Sequence, residues 1–223
     1  MEKFKAIIFD MDGVLFDTET FYYRRREKFL ADKGISIKHL PPSFFIGGNM
    51  KQIWPDILRD NLDKWDTDQL QKEYSIYKKT YPLPYKNLIF EDTFKVVKGL
   101  FEKGYRLGLA SSSTKHDILK ALEETQLLAY FSVILSGEEF EKGKPHPAIY
   151  QEARKQLGFN SDETLVIEDS EKGIQAGVSA DLEVWAIEDQ LFDMNQSKAS
   201  RLVNNLTPVS YTHLRAHETL RHL

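Results

Sequence analysis

Apolar residues fall along this chain in two alternating rhythms. Short, near-continuous apolar runs stand at Ala6–Phe9, Arg106–Ala110, Ser132–Leu135, Thr164–Ile167 and Glu183–Ile187. Between them, Thr93–Lys103, Lys115–Thr125, Pro147–Leu157 and Glu171–Ser179 carry apolar residues at helical spacing. Runs apolar on both faces predict strands buried on both sides, and helix-length crossovers between them predict parallel neighbours. Right-handed crossovers then give an α/β fold, a doubly wound, Rossmann-like parallel sheet. In such sheets the ligand crevice lies at the carboxyl ends of the strands.

One stretch breaks the alternation. From residue 17 to residue 87 no strand is predicted, only helical segments near Glu19–Lys33, Met50–Leu62 and Thr67–Thr80. Pro41-Pro42, Gly47-Gly48 and Pro82-Leu83-Pro84 punctuate them as loops. The expected organisation is an α/β core formed by 1–16 and 88–208, interrupted by an all-helical insert over 17–87. Residues 209–219, VSYTHLRAHET, match the translation of a sequencing adapter at eleven consecutive positions. A non-native tail over 209–223 is therefore expected. Its His213 and His217 have helical metal-pair spacing, but such a scar is excluded from functional reasoning.

Composition narrows the classes. The 223 residues carry 30 Lys+Arg against 34 Asp+Glu, interspersed, for a net charge of −4. No basic face points to nucleic acid. The absence of cysteine excludes disulfides, thiolate metal sites and thiol nucleophiles. No apolar run approaches the roughly 18 residues that would span a membrane, and the start lacks a signal-peptide pattern. A cytoplasmic monomer is expected.

The chemistry gathers where the predicted strands end. The first ends in Asp10, followed by Asp12 and Gly13; the second in Ser111-Ser112-Ser113; the fourth in Glu168-Asp169-Ser170. The loop after the third carries Lys144 in KGKPHP. Singly, each has an ordinary reading: a turn, a helix cap, a solvated lysine. Thr114 with Asp117 already forms a loose capping box, which leaves Ser111 spare. Jointly, four carboxylates at one sheet edge repel one another unless a cation joins them. Hard oxygen donors suit Mg²⁺, which commonly shares its shell with a substrate phosphate.

FDMDGVLFDT, LGLASSS, KGKPHPAIY and VIEDSEKGIQAG together resemble the four motifs of the haloacid dehalogenase superfamily, in its phosphatase and β-phosphoglucomutase branch with a helical cap. The resemblance runs from Lys5 to about Leu206. It implies that Asp10 is the nucleophile towards phosphorus and Asp12 the general acid/base. It implies that Ser111, with neighbouring Ser112, and Lys144 hold the phosphoryl group. Magnesium would be held by Glu168 and Asp169, the Asp10 side chain and the Asp12 main-chain carbonyl. The expected activity is Mg-dependent hydrolysis of a small phosphorylated metabolite through an aspartyl phosphate. A mutase would need a cationic anchor on the cap loop, often G-x-S-R; here that loop reads Gly47-Gly48-Asn49-Met50-Lys51. A catalytically silent phosphate-binding module is the alternative of another class. In the cap, Gly48 and Asn49 are candidate substrate contacts, with Tyr22, Arg24–Arg26 and Lys51 behind them. Phe21, Phe29, Trp54, Trp65 and Tyr74 are expected mostly as cap core, and the arginine run as mostly solvated.

Overall fold

The computed structural model describes residues 3–46 and 50–211. In chain order it contains β1 (Ala6–Phe9), α1 (Glu19–Ala31), α2 (Met50–Leu58), α3 (Thr67–Thr80), α4 (Tyr85–Leu88), α5 (Thr93–Glu102) and β2 (Arg106–Ser111). Then follow α6 (Lys115–Glu124), β3 (Phe131–Ser136), α7 (Ala148–Leu157), β4 (Thr164–Glu168), α8 (Glu171–Ser179), β5 (Glu183–Ile187) and β6 (Arg201–Val203). Candidate contacts Gly48 and Asn49, and the tail histidines His213, His217 and His222, lie outside the described residues. Among the described residues no helix is long and apolar enough to cross a membrane.

The chain divides into two compact units, one of Met1–Asp17 with Tyr85–Leu223 and one of Thr18–Pro84. The first is the predicted α/β fold. Its six strands run parallel in the order β3-β2-β1-β4-β5-β6. All four residues of β1 and all five of β4 are buried, because helices cover both faces of the sheet. One face packs Ala6, Ile8, Val166 and Val184 against Ile149, Tyr150 and Ala153 of α7 and Ile174 of α8. Successive side chains alternate between faces, so Ile7 and Phe9 serve the opposite side, also fully buried.

Register decides which residues meet at the sheet edge. Phe9 stands opposite Leu109 on one side and Ile167 on the other. Asp10 therefore leaves β1 level with Glu168 of β4, and its N–H still donates to the Ile167 carbonyl at 2.9 Å. The strand order changes direction between β1 and β4, the place where open α/β sheets form their crevice.

The second unit is all-helical among its described residues. Its core gathers Phe29, Leu30, Phe45, Trp54, Ile57, Leu70 and Tyr74, so Phe29, Trp54 and Tyr74 take the core places expected of them. The arginine run departs from expectation. Arg24 is exposed, but Arg25 and Arg26 are buried. Arg25 lies over the Phe21 and Tyr22 rings and donates to the Tyr81 carbonyl at 2.8 Å; Arg26 lies over Phe45. Aromatic faces attract these guanidiniums and shelter their stems.

Three elements differ from the sequence reading, the first being the short helix α4 where only a loop was expected. The helix expected over Met50–Leu62 ends at Leu58, because Arg59 turns to φ 47°, and the chain continues as a 3₁₀ turn over Arg59–Lys64. Strand β6 was not anticipated. It has three residues, and Leu202 remains half exposed.

Candidate active site

Each turn after a strand delivers its side chain by a local device. Gly13 has φ +79°, and a Cβ there would overlap the Asp169 carboxylate. Only glycine combines that conformation with that closeness. Behind it, Gly13 N–H donates to the Phe16 carbonyl at 2.8 Å, which closes the turn carrying Asp12. At the end of β2, Thr114 caps α6 by accepting from Asp117 N–H. That leaves Ser111 at the site, where its hydroxyl accepts from Ser113 N–H at 3.0 Å. After β4, Ser170 caps α8 by accepting from Gly173 N–H, so Glu168 and Asp169 are not needed as caps.

Lys144 is the centre of the arrangement. Its side chain is only 4% exposed, so it is no solvated lysine. Its Nζ donates to Asp10 Oδ1 at 2.6 Å, to Glu168 Oε1 at 2.7 Å and to the Ala110 carbonyl at 3.0 Å. An ammonium has three donors, and all three are placed. The peptide bond from Lys144 to Pro145 is cis.

Glu168 is saturated by the protein itself. Oε1 accepts from Lys144 and from the Tyr150 hydroxyl at 2.5 Å. Oε2 accepts from Asp169 N–H at 3.0 Å, Ser170 N–H at 3.2 Å and Ser170 Oγ at 3.1 Å. Its neighbour Gly173 must lack a side chain, since a Cβ there would overlap the Glu168 carboxylate. Asp12 lies beside this cluster and meets the serines after β2. Its Oδ2 accepts from Ser113 Oγ at 2.7 Å and more loosely from Ser111 Oγ at 3.4 Å. Ser112 is exposed.

Burial and neighbouring charges together shift the titration of the group. Burial pushes Asp10 up to about 8; Lys144 pulls it down, but the nearby Glu168 and Asp12 charges push it further up. Burial also opposes the charge on Glu168, but Lys144 and the Tyr150 hydroxyl outweigh it and hold the carboxyl below the usual range. Burial disfavours the Lys144 ammonium as well, and Asp10 with Glu168 more than reverse this, holding it above the lysine range. Burial and the Glu168 charge push the Tyr150 hydroxyl well up, so it stays a donor.

Asp10, Glu168 and Asp169 each offer an oxygen, and these atoms lie within 4.8 Å of one another. An all-oxygen donor set with a surplus of carboxylates over ammonium fits a hard divalent cation.

The site thus brings together Asp10, Lys144, Glu168 and Asp169, with Asp12 and Ser111 joined through Ser113. Sequence reasoning passed over Ser113, Tyr150, Gly13 and Gly173 as site residues. All four lie inside the motifs it quoted. Tyr150 stands in the first turn of α7, at core spacing, where only the buried hydroxyl marks it out.

Comparison with known proteins agrees with this geometry. The family model described as "Haloacid dehalogenase-like hydrolase" matches residues 7–187. A phosphoglycolate phosphatase of Aquifex aeolicus is 27% identical over 213 residues, covering 89% of this chain and 95% of that one. A phosphorylated carbohydrates phosphatase of Thermotoga maritima is 29% identical over 203 residues, covering 87% and 89%. Among solved structures, a β-phosphoglucomutase from Clostridium difficile superposes with a TM-score of 0.78 at 22% identity, covering 96% of each chain, a likeness of fold. With the motifs at the carboxyl edge of a six-stranded parallel sheet, the chain belongs to the haloacid dehalogenase-like hydrolases.

Proposed function

We propose that this enzyme hydrolyses a small phosphomonoester, with Asp10 as nucleophile and Mg²⁺ as cofactor. The observation that carries the reading is the disposition of Asp10. One of its oxygens is bound by Lys144, and it stands in the cluster with Glu168 and Asp169 at the sheet edge. Names of relatives such as phosphoglycolate phosphatase and phosphorylated carbohydrates phosphatase support the substrate class.

Asp10 and Asp169, with the Asp12 main-chain carbonyl, would hold the cation. Glu168, which belongs to the same oxygen cluster, would complete this set while its hydrogen bonds to Lys144 and Tyr150 fix both. Bound there, the cation would supply the positive charge that keeps Asp10 ionised and lets a phosphate dianion approach it. In the first step an Asp10 oxygen attacks phosphorus and the ester P–O bond breaks. The leaving oxygen takes its proton from Asp12. In the second step Asp12 takes a proton from water, which attacks the same phosphorus. Phosphate leaves and the Asp10 carboxylate is restored. Splitting one hydrolysis into two displacements lowers each barrier. Lys144, Ser111 and the N–H groups of the turn after β1 neutralise the equatorial oxygens.

The test is phosphate release from an aryl phosphate, with and without Mg²⁺. Turnover is expected to need the metal and to vanish in Asp10→Asn. Asp12→Asn is expected to slow it by about 10²–10⁴-fold, the usual worth of general acid/base catalysis. Metal-independent release, or an active Asp10→Asn variant, would refute the reading. A panel of sugar phosphates and phosphoglycolate then ranks substrates.

A further inference from the structure

The segment joining β5 to β6 carries no motif, yet one of its side chains reaches the site. Gln196 is 8% exposed. Its Nε2 donates to the Asp169 main-chain carbonyl at 2.5 Å and to the Ile187 carbonyl at 2.7 Å. Its Oε1 accepts from Asp189 N–H at 2.9 Å. Two carbonyls and one N–H fix the orientation of the amide, since the reversed amide would set oxygen against both carbonyls.

The loop that presents Gln196 is itself braced. The Asp189 carboxylate accepts from the N–H groups of Leu191, Phe192 and Met194 at distances from 2.7 to 3.2 Å. Asp169 is thereby held from three sides. Its N–H is taken by Glu168, its carbonyl by Gln196, and its carboxylate packs against Gly13. Glu168 and Gly13 belong to the motifs. Gln196 is an anchor from outside them, 27 residues further along the chain.

We propose that Gln196 is a positioning residue for the cation site: by tying the Asp169 carbonyl to the end of β5, it sets where the Asp169 carboxylate points. This rests on the reading of Asp169 as a metal ligand. Partners that orient a ligand are commonly worth about 10–100-fold in metal affinity.

The test titrates Mg²⁺ alone into the metal-free full chain and reads the dissociation constant by calorimetry, at a temperature where circular dichroism shows each variant folded. Gln196→Met keeps the length of the side chain and removes every hydrogen bond. It is expected to weaken Mg²⁺ binding by about 10–100-fold. Asp189→Asn loosens the same loop but leaves the amide of Gln196 in place, and is expected to stay within a few-fold of the unaltered protein. Equal Mg²⁺ affinity in Gln196→Met and the unaltered chain would overturn the proposal. So would an Asp189→Asn variant as weak as Gln196→Met, because loop order and not the tether would then set the affinity. If Gln196→Met does not fold, Gln196→Asn, one methylene too short to reach both carbonyls, is judged by the same two outcomes. Failure of the unaltered chain to bind Mg²⁺ would instead overturn the metal reading, and the tether's role with it.

Discussion

At the scale of single residues, one ammonium holds the buried Glu168 carboxylate and the buried Asp10 carboxyl. Removing Lys144 strands Asp10 and Glu168 together in a place water hardly reaches. Breaking a buried pair by deleting one partner typically costs about 3–5 kcal/mol, since the survivor stays desolvated. Lys144→Met is therefore expected to lose phosphatase turnover and also to unfold at lower urea concentration in the metal-free state. Unchanged urea stability would show that the ion pairs do not form. Tyr150→Phe is the milder case. Glu168 keeps four of its five donors, so a loss of about 1.5–3 kcal/mol is expected, the usual value of one hydrogen bond to a charged group. The roles of these residues were unequally legible. Asp10, Asp12, Lys144 and Asp169 stand out in sequence because their types and order match a known chemistry. The saturation of Glu168 does not, because it depends on a hydroxyl 18 residues upstream and on main-chain donors whose direction only the fold reveals.

At the scale of elements, the strands were legible where burial on both faces forces a continuous apolar run. β1, reading Ala-Ile-Ile-Phe, can hardly be anything else. β6 was illegible for the opposite reason: Arg201-Leu202-Val203 is an edge strand, with only Val203 buried. The start of α8 was legible as a helix but not as part of the site. Gly173 sits in its first turn, where glycine normally weakens a helix. Replacing such a glycine with alanine ordinarily stabilises by up to about 1 kcal/mol. Here the sign is expected to reverse, because the new methyl would collide with the Glu168 carboxylate. Gly173→Ala should lower the thermal midpoint and weaken Mg²⁺ binding together, through displacement of Glu168 and Lys144. A midpoint that rises would mean that α8 can shift away from the site at no cost.

At the scale of the whole molecule, the sheet edge concentrates negative charge that folding must tolerate, and this makes stability depend on pH. Stability rises with pH wherever the unfolded chain binds more protons than the folded one, and falls where it binds fewer. Asp10 is the second case. Its usual pKa near 4 is raised to about 8 in the fold, so between these values the folded state holds the extra proton. The metal-free protein should thus lose stability as pH rises from about 5 to 8. Glu168 is held below its usual range, so its contribution is complete above about pH 5 and is lost only on further acidification. Lys144 is held above its usual range, so its contribution stays constant until strongly alkaline pH. Asp10 is left to set the slope of this cluster, at most about 1.4 kcal/mol per pH unit for one proton. A divalent cation on Asp10 displaces that proton, so the metal should stabilise the fold more at pH 8 than at pH 6. Urea unfolding at both pH values, with EDTA and with saturating Mg²⁺, measures the effect directly. The gap between the two conditions should widen with pH in the unaltered chain and close in Asp10→Asn, which has no proton to release. A gap that narrows with pH would place the cation away from Asp10.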